Sequence, residues 1–352
     1  MADGVGSRTD EIRKFILANL DSHPRDLVAV TRANFQVSRQ AISLHLKSLE
    51  GQGLLVSEGN TRRTVYRRPE RLIELPILGL SEHAAYQEHV RPVLTGLPEN
   101  IQMICEHGVT EIVNNAIDHS ASNTVRIQTK RTRDLIDISI MDTGIGIFRK
   151  IHQECQLEDV RHAIFELTKG KLTTDPKHHT GEGIFFTSRM FDVFSILSYG
   201  LYLGHRRDGS DWLLHNPEED KEVHEYGTSV FLKISPQSTH TSAEVFQKYA
   251  AEQDDYAFNK THVIVELSKT GEETFTSRSQ AKRIVTRLEK FKEVVLDFSD
   301  VQEIGPAFAD QIFRVFASQY PETHLIPINA NEQVTKMIQR ALSHDSSGVD
   351  VT

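Results

Sequence analysis

The chain of 352 residues is poor in cysteine and tryptophan, with two and one respectively. Cys105 and Cys155 have no metal-like spacing and no nearby catalytic partner, which excludes a disulfide framework and a cysteine-based metal site and fits a reducing compartment. Long apolar runs are missing too, so no membrane span is expected. The N-terminus is polar and charged, so no signal peptide is expected and the location expected is cytoplasmic. What remains is ordinary for a globular protein: 38% hydrophobic and 25% charged residues, over a length that suggests two or three domains.

The net charge of −9 conceals an asymmetry. Residues 1–70 hold eleven Lys or Arg against eight Asp or Glu, a net of +3, so the other 282 residues carry −12. Between Thr31 and Pro69 the balance sharpens to seven basic against two acidic residues, or +5. Nucleic acid is the partner such a surplus suggests.

Three short motifs follow in order. The first, Glu111-Ile112-Val113-Asn114-Asn115-Ala116-Ile117-Asp118-His119, sets Glu111, Asn115 and His119 at i, i+4 and i+8. On a helix these lie along one face, each about 40° round from the last. An Asn carbonyl oxygen beside nucleotide phosphates is a sensible magnesium ligand, a role assigned to Asn115. Glu111, one turn earlier, is placed to orient or deprotonate a water aimed at a γ-phosphate. Asp118 and His119 join the nucleotide candidates, with a helix-end cap as the alternative for the histidine.

The second motif, Asp142-Thr143-Gly144-Ile145-Gly146, ends the alternating strand pattern of 136–141. Its carboxylate can accept a hydrogen bond from the amino group of adenine, and Gly144 and Gly146 let backbone approach a ligand. The third, Thr180-Gly181-Glu182-Gly183, opens an expected helix over 184–191 whose free N–H groups suit a phosphate.

In this order the motifs resemble those of the GHKL ATPase superfamily, over about residues 80 to 235. The resemblance implies ATP and Mg2+ as cofactors, Asn115 as the metal ligand, Asp142 as the adenine reader, and phosphate contacts from Gly181 and Gly183. It also implies a mobile lid over about 148–180, and a closing role on the adenine side for Gly227-Thr228 before a strand.

Ahead of this region, apolar stripes predict helices over 9–20, 27–34 and 38–50, the last capped by Ser38, and then a two-stranded wing around 54–56 and 64–66. The pattern Val37-Ser38-Arg39-Gln40-Ala41-Ile42-Ser43 and Leu49-Glu50-Gly51-Gln52-Gly53-Leu54 resembles winged helix-turn-helix modules. That resemblance makes Arg39, Gln40 and Ser43 the candidates for base edges of double-stranded DNA, with Arg62 and Arg63 on its backbone or minor groove. Residues 67–81 read as an extended connector, and helices are expected over 82–95 and 99–119.

Beyond about Thr239, strands at 262–267, 294–298 and 324–327 alternate with helices at 277–291, 306–316 and 332–342. The runs Ser277-Arg278-Ser279-Gln280-Ala281 and 296–310 resemble the STAS-like DUF4325 family. Related anti-sigma antagonists begin the helix after the second strand with a phosphorylatable serine, where this chain has Gly305, Pro306 and Ala307. Interaction with a protein partner, or dimerisation, is therefore its expected role.

The fold class expected is α/β multidomain: a winged helix-turn-helix over 1–70, a GHKL (Bergerat) α/β sandwich over 71–238 and a small STAS-like α/β domain over 239–352. A DNA-binding, ATP-controlled and slowly hydrolysing regulator, expected to be a homodimer, is the leading functional reading. A serine/threonine protein kinase of the anti-sigma factor type and a passive nucleotide-binding scaffold are the alternatives.

Overall fold

The computed structural model describes residues 8–52, 54–59, 64–172, 181–207, 211–215, 227–250, 258–269 and 274–343. The chain divides into two compact units: Met1–Gly144 with Phe191–Phe194 and Gly227–His240, and Ile145–Met190 with Ser195–Tyr226 and Thr241–Thr352.

The first unit opens with helices α1 (Arg8–Asn19), α2 (Leu27–Phe35) and α3 (Arg39–Gly51), then a hairpin of β1 (Val56–Glu58) and β2 (Val65–Arg67). Ile12, Ile16, Leu20, Leu27, Ile42, Leu46 and Leu49 close into one core, as the helical spacing predicts. Phe15 meets Phe35 edge-on, ring centroids 5.2 Å apart. Ser38 caps α3 by accepting the Ala41 N–H. The hairpin lies two residues further along than expected on its first strand, and Glu50 fixes it by accepting from the Ser57 N–H and hydroxyl.

The expected connector is in fact a strand, β3 (Arg71–Pro76), antiparallel to β4 (Thr124–Arg131). Proline at its last position and Leu72 at 63% exposure suit an edge strand. The helix expected over 82–95 is broken instead into α4 (Glu82–Ala85), a π-helical turn and a 3-10 turn, where Pro92 removes a donor N–H. Helix α5 (Glu99–His119) matches its expected span and packs on β5 (Ile136–Asp142).

Asp21 joins the helical segment to the sheet. Its Oδ2 lies 3.0 Å from Arg68 Nε and 3.5 Å from Arg131 Nε at the end of β4, with all three side chains largely buried. Arg131 Nη1 also donates to the carbonyls of Val93 and Thr95. Burial, with Arg68 alongside, lowers the Arg131 guanidinium to about 10.

Next come α6 (Ile147–Glu154), α7 (Val160–Lys169) and α8 (Gly183–Met190), then β6 (Val193–Ser198), β7 (Leu201–Arg206), β8 (Asp211–His215) and β9 (Ser229–Ile234). In the first unit β3, β4, β5 and β9 stand in that order, each antiparallel to its neighbour. In the second, β7 and β8 pair antiparallel.

The C-terminal part of the second unit is α9 (Ser242–Lys248), β10 (Lys260–Ile264), α10 (Arg278–Val285), β11 (Glu293–Asp297), α11 (Pro306–Asp310), α12 (Ala317–Gln319), β12 (His324–Ile328) and α13 (Glu332–Ser343). Strands β10, β11 and β12 form a parallel three-stranded sheet in chain order. The helix expected over 277–291 stops at Val285, because Arg287 takes a left-handed φ of 66°. None of the described helices is long and apolar enough to cross a membrane.

Candidate nucleotide-binding site

Strand β5 buries Ile136, Ile138 and Ile140 and delivers Asp142 to its end. The Asp142 N–H donates to the Thr228 carbonyl at 2.9 Å. Its carboxylate in turn accepts the N–H groups of Gly144, at 2.8 Å to Oδ1, and of Thr228. Burial pushes this carboxyl above its ordinary value, and those two N–H groups oppose the rise.

Glycine is required on both sides of this carboxylate. A Cβ on Gly144 would stand 1.9 Å from the Ser120 carbonyl oxygen, and one on Gly227, at φ +87°, 1.9 Å from the Asp142 carbonyl oxygen. The sequence assigns Gly144 to ligand approach, but its backbone is pressed first against the residue that follows α5. Ser122 reinforces the junction, its hydroxyl lying 3.1 Å from that of Thr143 and accepting the Thr143 N–H at 3.3 Å.

Helix α5 buries Ile104, Cys105, Gly108, Val109, Ile112, Val113 and Ala116 against the sheet. Glu111, Asn115 and His119 are half-buried and Asp118 is exposed. In the first unit the fold thus gathers the end of α5, Asp142, Gly144 and Thr228. Cys105 is fully buried, and burial raises its thiol to about 12, so it is inert as a nucleophile.

The other site candidates belong to the second unit. Gly146, at φ +77°, would drive a Cβ into Tyr199 and Ser198. Gly181, at φ +73°, lies against the backbone of Leu172, where a Cβ would approach to 2.4 Å. Glu182 is half-buried, and burial raises its carboxyl while Lys171 opposes the rise. Gly183 begins α8, and Thr180 lies outside the described residues.

The segment expected to be a mobile lid contains a well-anchored helix. Lys169 at the end of α7 is fully buried, its Nζ 2.6 Å from Glu166 Oε1, 2.9 Å from the Arg283 carbonyl and 3.1 Å from that of Thr286. Arg287 Nη2 pairs with Glu166 Oε2 at 2.7 Å, and the Thr261 hydroxyl donates to the Lys169 carbonyl. Phe185 and Phe186 of α8 stack with Tyr249 and Phe258, extending the same core.

A half-buried carboxylate held by two backbone N–H groups, beside a helix bearing a carboxylate and an amide, is a set of groups suited to adenine and to a metal-chelated phosphate chain. Residues 101–193 match the family of histidine kinase-, DNA gyrase B- and HSP90-like ATPases. The ATPase-type match covers α5, β4, β5 and α8, and with them all three motifs, and it suggests ATP binding. Residues 280–335 match the STAS-like domain of unknown function DUF4325. A search of curated proteins found no match.

In the STAS-like region Gly305 caps α11 and Pro306 is its first residue, so no hydroxyl stands at the helix start. In the N-terminal segment Arg39, Gln40 and Ser43 are exposed on α3, Arg39 at its first turn and Gln40 and Ser43 turned away from the stripe of Ile42, Leu46 and Leu49. Leu44, at 70% exposure, shares that outward side and escaped the sequence reading, which sought only polar groups there. Arg62 and Arg63 lie outside the described residues.

Proposed function

We propose that the chain is an ATP-binding, slowly ATP-hydrolysing regulator of transcription that binds double-stranded DNA and whose nucleotide state governs its domain arrangement. The observation that carries this reading is Asp142, a fixed carboxylate beside α5 in a stretch that matches an ATPase family. It accepts a hydrogen bond from the adenine amino group. Asn115 offers its side-chain oxygen to Mg2+, and bound Mg2+ would neutralise charge on the phosphates. Glu111, one turn earlier, orients the attacking water and takes its proton. Asp118, His119, Gly144, Gly146, Thr180, Gly181, Glu182, Gly183 and Thr228 complete the nucleotide set through the family resemblance.

The first 70 residues act as a winged helix-turn-helix. The +5 surplus between Thr31 and Pro69 and the exposure of Arg39, Gln40 and Ser43 support a role for α3 in the major groove, with Arg62 and Arg63 on the wing. A cytoplasmic homodimer, with the STAS-like domain contacting a protein partner, fits a regulator of this kind.

Incubation with ATP labelled on its γ-phosphate tests the assignment. Released phosphate and no labelled protein in a cell extract are expected, and Glu111→Ala should keep ATP binding while turnover falls by about 100-fold or more. Label on a second protein would establish the kinase reading instead, and unchanged turnover in the variant would remove Glu111 from its role.

A further inference from the structure

The STAS-like region holds a cavity of about 550 Å³ where α10, α11, α13 and the π-helical turn after α11 pack together. Three arginines from three different elements line it: Arg278 from α10, Arg314 from the turn and Arg340 from α13. One carboxylate, Asp310, lines it with them. Arg314 Nη2 lies 2.9 Å from Asp310 Oδ2, and Arg278 Nη2 lies 3.5 Å from the same oxygen. Three guanidiniums against one carboxylate leave a surplus of two positive charges in the lining. Met337 and Ala341 add an apolar wall.

Asp310 offsets one of the three charges, and Arg278 and Arg340 are exposed, so solvent screens the remainder and leaves both guanidiniums accessible to an anion. Guanidinium forks match phosphate oxygens bidentately. A phosphate monoester carries close to two negative charges at neutral pH and so balances the surplus. The volume falls within the range of about 300–1,000 Å³ typical of small-molecule sites, more than a bare phosphate needs. The apolar wall then has an organic moiety to contact.

We propose that this cavity binds the phosphate monoester of a small metabolite, held by Arg278, Arg314 and Arg340. The site is separate from the ATP motifs and does not rest on the function proposed above. A ligand that bridges α10 and α13 gives the STAS-like domain a small-molecule input.

Isothermal titration of the full chain at pH 8 and constant ionic strength tests it, with glucose 6-phosphate, glucose, inorganic phosphate and succinate as probes. Saturable binding of glucose 6-phosphate is expected, with inorganic phosphate weaker and glucose silent. The double variant Arg278→Ala, Arg340→Ala removes two exposed side chains, leaves the Asp310–Arg314 pair intact, and should weaken glucose 6-phosphate at least tenfold. Circular dichroism of the double variant confirms that it is folded. The proposal is overturned by absence of saturable binding up to about 10 mM. Equal affinity in the folded double variant, or binding of succinate or glucose as tight as that of glucose 6-phosphate, would overturn it too.

Discussion

Asp142 shows how one carboxylate is made both half-buried and anchored. Burial favours its neutral form, so its folded value stands above the ordinary 3.8. The folded state therefore holds more protons than the unfolded state in the window just above 3.8, and this group's contribution to stability falls as pH rises through that window. The proposed adenine recognition would run the other way, because the ionised form is the better acceptor. Nucleotide affinity should weaken on acidification at a higher pH than an ordinary aspartate would give, and binding titrations across acidic pH check this. The neighbouring glycines are steric requirements. Gly227→Ala meets a carbonyl oxygen at 1.9 Å with a positive φ, and should cost at least ~1–3 kcal/mol by urea unfolding.

Among the elements, α7 is fixed by charge as much as by packing. Glu166 pairs with both Lys169 and Arg287, and Lys169 also reaches two carbonyls. Removing the carboxylate leaves two buried or half-buried cations facing each other, whereas removing the lysine leaves Glu166 with Arg287. Glu166→Gln should therefore destabilise by about 3–5 kcal/mol and exceed the loss in Lys169→Met, as denaturant midpoints would show. None of this was legible in the sequence, where the family resemblance implied a lid over about 148–180 and nothing local marks a contact of α7 with residues more than a hundred positions away. Long periodic elements such as α5 and α3 were legible, since their apolar spacing is imposed by the faces they bury. β3 was missed because prolines at 69 and 76 mask a six-residue edge strand, and α10 ran short because a left-handed Arg287 has no sequence mark. The site was legible as motif order. The pairing of Asp142 with Thr228 and the pressure of Gly144 on Ser120 are contacts that only the fold supplies.

For the whole molecule, each compact unit combines segments that lie far apart in the sequence. The first unit carries the N-terminal helices together with α5 and Asp142, and Asp21 ties Arg68 to Arg131 at the end of β4. Asp21→Asn removes the only charge between two buried guanidiniums in that cluster. It should cost about 3–5 kcal/mol and expose the link at 68–71 to limited proteolysis. The second unit carries α7, α8 and the STAS-like sheet in one core, so events at the Gly181–Gly183 segment and at the arginine cavity involve the same body. A ligand shifts such an assembly only through unequal affinity for its two arrangements. The proposed nucleotide-controlled function depends on adenine nucleotide binding through Asp142, which calorimetric titration of Mg·ATP into the wild-type chain and into Asp142→Asn measures directly. Saturable binding to the wild type, weakened about 10- to 100-fold in the variant, is predicted. No binding to the wild type, or equal affinity in the two, would contradict it.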